Sequence, residues 1–240
     1  MISTPSSPAA PFARRVRSFV RRAGRLTPAQ ARALEVLGPG RLLPGEGDPL
    51  VLDEIFDRAA PRVLEIGFGD GEALVAMARR LPDVDFLGLE VHEPGVGHLL
   101  LRLEAEGLGN VRLICHDAAE VIERRLPNAA FAAINIFFPD PWPKKRHHKR
   151  RLVQPPLIAS LARRQPAGGL LHLATDWVPY AEHMAEVLAA SPDYHPIGAS
   201  EAAAEPLAWR PETKFERRGL RLGHEVRDLY YRKTETETGQ

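Results

Sequence analysis

Six short apolar runs, at residues 62–66, 85–89, 111–115, 130–138, 169–174 and 225–231, read as strands, and most are separated by stretches with helical spacing. The helical segments are 71–80, 94–106, 118–125 behind the cap candidate Asp117, 151–164 with an early interruption at Pro155-Pro156, and 179–189. Two more precede the first strand. One is opened by Thr27-Pro28 and runs to about residue 37, and the other runs from Asp48-Pro49 to about residue 58. Residues 199–206 read as loop and 212–221 as a short helix. Strand and helix in alternation need right-handed crossovers, which give a largely parallel sheet covered on both faces. Ligands of such α/β sheets bind beyond the carboxyl ends of the strands. Those ends are rich in acids: Glu65, Glu90, Asp117, Asp140 and Asp176 each stand at or just after one.

At 240 residues, 44% of them hydrophobic, the chain holds enough for one domain and a terminal extension. The division expected is a disordered, basic extension over residues 1–25 and a single domain over 26–240. The formal net charge of +1 hides an asymmetry, because residues 1–34 carry seven Arg and no acid. Local charge therefore decides partner arguments. With Cys115 as the only cysteine no internal disulfide can form, which fits a reducing compartment, and a cytoplasmic location is expected. No apolar run approaches the roughly 20 residues of a membrane-spanning helix, so no membrane partner is expected.

The turn after the first long strand reads Val63-Leu64-Glu65-Ile66-Gly67-Phe68-Gly69-Asp70-Gly71. Gly67 and Gly69 let the backbone turn tightly and approach a ligand closely. Glu90, ending the next strand, stands where an acid accepts hydrogen bonds from ribose hydroxyls. Together they point to a nucleoside cofactor. A dinucleotide would bring its pyrophosphate to the helix N-terminus, where Glu65 and Asp70 would repel it. The same carboxylates suit S-adenosylmethionine, which has a sulfonium and an ammonium group and no phosphate. Asp117 could accept from the adenine amino group, cap its helix, or do both.

Past the middle of the chain, Phe137-Phe138-Pro139-Asp140-Pro141-Trp142-Pro143 sets one carboxylate between two prolines. The next eight residues, Lys144 to Arg151, hold six Lys or Arg and two His without an acid. A solvated charge run is the common meaning of such a block. Its place beside a strand end favours phosphate binding, and adjacent histidines without acids or cysteines at ligand spacing argue against a metal. Trp142 and Trp177 suit either base stacking or core packing. Thr213 and Glu216 read equally as a capping box.

These segments carry a resemblance. Leu64-Glu65-Ile66-Gly67-Phe68-Gly69, Gly88-Leu89-Glu90-Val91-His92, Phe138-Pro139-Asp140-Pro141-Trp142, Ala174-Thr175-Asp176-Trp177 and Thr213-Lys214-Phe215-Glu216, in this order, resemble the bacterial tRNA (guanine-N7-)-methyltransferases of the TrmB type. The likeness runs from Arg17-Ser18-Phe19-Val20 to Tyr230-Tyr231. It implies a Rossmann-like class I methyltransferase fold, with a central seven-stranded, mostly parallel sheet. It implies methylation of a guanosine N7 in the tRNA variable loop by S-adenosylmethionine. It implies cofactor contacts at Glu65, Glu90, Asp117 and Asp140, substrate contacts at Lys144, Asp176, Thr213, Lys214, Phe215 and Glu216, and RNA contacts at Arg146, His147, His148, Lys149, Arg150 and Arg151. Asp140 is the candidate catalytic residue, as a carboxylate that orients the guanine and stabilises the charge it gains. A non-catalytic RNA-binding module and a nicotinamide-dependent oxidoreductase are the competing readings, and the acid set speaks against both. No metal is expected, and a monomer is expected ahead of a homodimer.

Overall fold

A computed structural model describes residues 24–235. The basic extension expected over 1–25 therefore lies outside the described residues except for its last two. The strands are β1 (Leu42–Leu43), β2 (Arg62–Ile66), β3 (Asp85–Glu90), β4 (Val111–Cys115), β5 (Ala133–Phe137), β6 (Leu170–Thr175), β7 (Tyr194–Pro196) and β8 (Arg227–Lys233). They form one sheet in the order β1-β4-β3-β2-β5-β6-β8-β7, parallel except where β8 joins β6 and β7. The order reverses between β2 and β5, which makes the crevice above their carboxyl ends the topological switch point.

Among the described residues the α-helices are α1 (Pro28–Val36), α2 (Leu52–Phe56), α3 (Glu72–Arg80), α4 (Glu93–Ala105), α5 (Ala118–Arg124), α6 (Pro155–Arg164), α7 (Val178–Ala189), α8 (Ala199–Ala203) and α9 (Lys214–Arg221), with short 3-10 helices at Lys145–Arg150 and Pro206–Ala208. Alternate strand residues feed two cores. Leu64, Ile66, Leu87, Ile134 and Leu171 pack with Val121, Ile158, Leu161 and Met184 on one face. Val63, Phe86, Leu113 and Ala133 pack with Leu74, Met77, Leu99 and Leu103 on the other.

The sheet thus has eight strands among the described residues where seven were expected. The extra one, β1, is two residues long and pairs Leu42 with Leu113 and Leu43 with Ile114 at the sheet edge. Residues 199–206, expected to be loop, contain α8, which buries Ala202. Pro155 and Pro156 begin α6 instead of interrupting a longer helix, because proline at the first turn loses no intrahelical donor. The helix expected from Asp48 is only the five residues of α2, ended by Asp57 in the left-handed conformation.

Candidate active site

Gly67, Gly69 and Gly71 have φ of +78°, +61° and +78°, the left-handed region that L side chains avoid. The turn must also clear α4, since a Cβ on Gly95 would come within 2.1 Å of the Gly69 carbonyl oxygen. Two bonds tie the turn to β3: Gly67 N–H donates to Leu89 O at 2.8 Å, and Gly69 N–H to Glu90 Oε2 at 2.8 Å. The other Glu90 oxygen accepts from Val91 N at 2.7 Å and His92 N at 3.1 Å. Glu90 is therefore fixed by backbone donors, and Oε2 keeps acceptor capacity for a ligand hydroxyl.

Glu65 lies one strand over. It is 2% exposed, and its Oε2 has no hydrogen-bond partner among the described residues. Burial, with the nearby Glu90 charge, pushes its carboxyl up to about 8. Asp117 caps α5, accepting from Ala119 N at 3.0 Å. The carboxyl ends of the adjacent strands β2, β3 and β4 thus set Glu65, Gly67, Gly69, Glu90 and Asp117 side by side. For Asp70, burial opposes ionisation, but the Lys214 ammonium holds its carboxyl below the ordinary range.

Asp140 follows β5, on the other side of β2. It is exposed, and among the described residues it neither caps a helix nor pairs with a cation. Its loop is held hard. Phe138 and Trp142 sit at φ of +49° and +45°, and such strain costs on the order of 1 kcal/mol or more per residue. The support is Arg151, which is 3% exposed. Its Nε donates to Pro141 O at 3.1 Å and its Nη1 to Pro179 O at 3.2 Å, and its guanidinium lies 4.9 Å from the Tyr180 ring centre. Arg151, expected at the RNA, has its donors turned into the protein, where it braces the Pro-Asp-Pro loop. His148 leans the same way, with Nε2 3.3 Å from Arg151 Nη2. Lys144, Lys145, Arg146 and Lys149 are exposed. Arg150 lies 5.0 Å over Trp142, and His147 meets the same ring edge-on.

The segment Thr213–Glu216 lies across the glycine turn. Thr213, buried, caps α9 by accepting from Glu216 N at 3.3 Å. Lys214 N–H donates to Glu72 Oε2 at 2.7 Å, the Lys214 ammonium pairs with Asp70, and Arg217 bonds Glu72 at 2.7 Å. Phe215 stacks on Phe138 with centroids 6.4 Å apart. Asp176 joins from β6, its Oδ2 3.3 Å from His224 Nδ1. Trp177 is half-buried and meets His224 edge-on. Lys144 is not part of this cluster; it belongs to the exposed basic segment.

Only half of the capping box forms, because the Glu216 carboxylate turns to Arg210 instead. Arg210, a residue sequence reasoning missed, also makes a fork to Asp228 at 2.7 and 2.8 Å. Asp228 in turn accepts from His172 Nε2 at 2.7 Å. Burial opposes ionisation of Asp228, but His172 and Arg210 hold its carboxyl down at about 2. His172, in β6, and Asn135, in β5, are both fully buried. Each is a polar residue inside an apolar strand, the signal that singled out Glu65.

Residues 59–229 match the family model described as "Putative methyltransferase". The chain is 57% identical to the tRNA (guanine-N(7)-)-methyltransferase of Alkalilimnicola ehrlichii over 92% of this chain and 94% of that one. It is 55% identical to the protein of that name from Halorhodospira halophila, over 91% and 95%. Among solved structures it is similar to the 16S rRNA methyltransferase KamB, with a TM-score of 0.54 at 17% identity over 79% of this chain and 96% of that one. It is similar also to TrmN from Thermus thermophilus, with a TM-score of 0.50 at 19% identity over 76% and 47%. At such identities these structures speak for the fold alone.

Proposed function

This chain belongs to the tRNA (guanine-N7-)-methyltransferase family, and from that premise we propose that it methylates N7 of guanosine 46 in the tRNA variable loop, using S-adenosylmethionine. The observation that carries the reading is the row of carboxylates Glu65, Glu90 and Asp117 along three adjacent strand ends, with Asp140 following β5 on the other side of the switch point. An unpartnered buried carboxyl and a turn flanked by acids fit a ligand that is cationic and carries no phosphate. Glu65, Gly67, Gly69, Glu90, Asp117 and Asp140 would hold it, and its sulfonium supplies the methyl electrophile.

Guanine N7 carries an in-plane lone pair on the base edge, so it attacks without first losing a proton. What the protein must supply is alignment of nitrogen, methyl carbon and leaving sulfur. The base becomes cationic as the bond forms. Asp140, fixed by its prolines and by Arg151, accepts from the guanine N1–H and amino group and favours that charge. Asp176 and the Thr213–Glu216 segment complete the base site. No helix of the described residues is long and apolar enough to cross a membrane. We take the enzyme to act as a monomer in the cytoplasm.

The direct test is incubation with methyl-labelled S-adenosylmethionine and bulk tRNA, followed by nuclease digestion. Label in 7-methylguanosine is expected, and label elsewhere or nowhere would sink the reading. The basic segment has its own expected outcome. Replacing Lys145, Arg146 and Lys149 together by Gln should flatten the slope of log affinity against log salt by up to about three, roughly one for each phosphate no longer neutralised. An unchanged slope would remove the segment from the RNA interface. Arg151→Gln should instead lower Tm, because its partners are protein carbonyls.

A further inference from the structure

The parallel register sets Glu65 beside Asn135 and Asn135 beside His172, and the antiparallel register adds Tyr230. They form one polar row across the middle of the sheet, on the face that packs against α3. Three atoms of this row are buried without a hydrogen-bond partner among the described residues: Glu65 Oε2, Asn135 Oδ1 and His172 Nδ1. All three are acceptors unless one carries a proton. Buried polar atoms are seldom left so, and the question is which one donates.

His172 does not. Its Nε2 lies 2.7 Å from Asp228 Oδ1, a carboxylate held ionised, so the ring proton is on Nε2 and Nδ1 is bare. Burial holds the ring neutral. Asn135 Nδ2 donates to Met77 Sδ at 3.6 Å, and a thioether returns no donor. Glu65 remains, since a carboxylic acid has one O–H. Glu90 is the charged group that acts on it, and two ion pairs lie farther along the turn and the row. Glu90 on β3 opposes its ionisation, and the Asp70–Lys214 pair spans the turn and α9. The Asp228–Arg210 pair closes the far end of the row.

We infer that Asn135 is the positioning residue for Glu65 and that the two form a proton switch beneath the cofactor site. In the empty enzyme the Glu65 carboxyl carries a proton and donates it in a hydrogen bond to Asn135 Oδ1. When the cationic cofactor binds, that proton leaves for solvent. The Asn135 amide then turns over and donates Nδ2–H to the carboxylate. Asparagine serves both states because its carboxamide offers an acceptor and a donor. The inference rests on the assignment of S-adenosylmethionine to this site.

Titration calorimetry of S-adenosylmethionine into the full-length enzyme, in two buffers of different ionisation enthalpy, reads the switch directly. Close to one proton should be released per cofactor bound at pH 7, with release fading as pH rises past about 8. Apparent affinity should rise about tenfold per pH unit below that point and then level. Glu65→Gln should bind more weakly and release no proton from this group. Asn135→Leu should move the release curve to higher pH, since the carboxylate loses a charge-assisted donor that outweighs the neutral acceptor. A purely structural Asn135 would change Tm and leave the curve in place. Binding without proton release in the wild type overturns the switch; the absence of any binding overturns the cofactor assignment instead. The wild-type profile decides the proton release even if a variant fails to fold, and Asn135→Ala, a smaller apolar change, then reads the part of Asn135 by the same shift of the curve.

Discussion

Asp140→Asn is expected to lower kcat by about 10²- to 10³-fold, the loss typical of a preorganised electrostatic partner of the transition state, while tRNA affinity changes by no more than about twofold. The substitution is close to isosteric. It leaves the two flanking prolines, the left-handed Phe138 and Trp142, and the Arg151 bond to Pro141 O in place. Asp140 is exposed and pairs with no cation among the described residues, so Tm should move by about a degree at most. On the proposed role of Asp140, what is removed is a negative charge at the point where the base becomes positive. An Asn amide can still accept one hydrogen bond, so base entry persists and only the differential stabilisation is lost. Single-turnover rates with saturating tRNA, set beside filter-binding affinities, separate the two effects. If affinity and rate fell together, Asp140 would be an RNA contact and the charge would have to be met elsewhere. A pH–rate profile without a limb from a deprotonating base at Asp140 is expected alongside, because N7 has no proton to give up.

Much of this site could be read from the chain because its chemistry is local to strand ends. Glu65 stands out as an acid closing an apolar strand, and Gly67, Gly69 and Gly71 mark a turn whatever packs around it. Asp117 caps its helix as its position suggests. Long-range contacts were the harder part. Nothing within Lys144 to Arg151 distinguishes the last arginine from its neighbours. Its burial is set by carbonyls at Pro141 and Pro179 and by the Tyr180 ring, up to 29 positions away in the chain. Arg210 has the same character, with partners at Glu216 and Asp228. Strands of two or three residues, as in β1 and β7, are too short to show a period of two. The loop expected at 199–206 rests on composition, yet Ala199–Ala203 is made mostly of good helix formers, and burial of Ala202 gives that turn its place. Asn135 and His172 carried a legible signal, a polar residue inside a buried strand, and only their register with Glu65 makes it interpretable.

Arg210→Ala should cost about 3 kcal/mol or more, the usual consequence of removing one partner from a buried ion-pair network, and for a chain of this size lower Tm by about 10 °C. The guanidinium neutralises Asp228 and Glu216 at once and lies over the Phe137 and Phe138 rings, so its loss leaves two carboxylates facing an apolar wall. Glu216 would no longer anchor α9, and the Phe215 stack on Phe138 above the glycine turn would loosen with it. A fall in kcat/KM beyond what the Tm shift explains is therefore expected at temperatures where the variant remains folded. Arg210→Lys should recover only part of this, since one ammonium cannot reproduce a fork to Asp228 together with a bond to Glu216. The acid limb of stability offers an independent check. The folded carboxyl of Asp228 titrates at about 2 against an ordinary value of 3.8. Its contribution is therefore complete above about pH 4 and is lost as pH falls toward 2. Without Arg210 the folded carboxyl moves back toward its ordinary value, so the stability that Asp228 loses between about pH 4 and pH 2 should shrink. Adding Glu216→Gln to Arg210→Ala should restore part of the Tm by removing an uncompensated charge, yet restore no activity, because the anchor of α9 is still missing. Recovery of both would mean that Glu216 serves only the fold, and the role of Arg210 in placing α9 over the cofactor turn would fall with it.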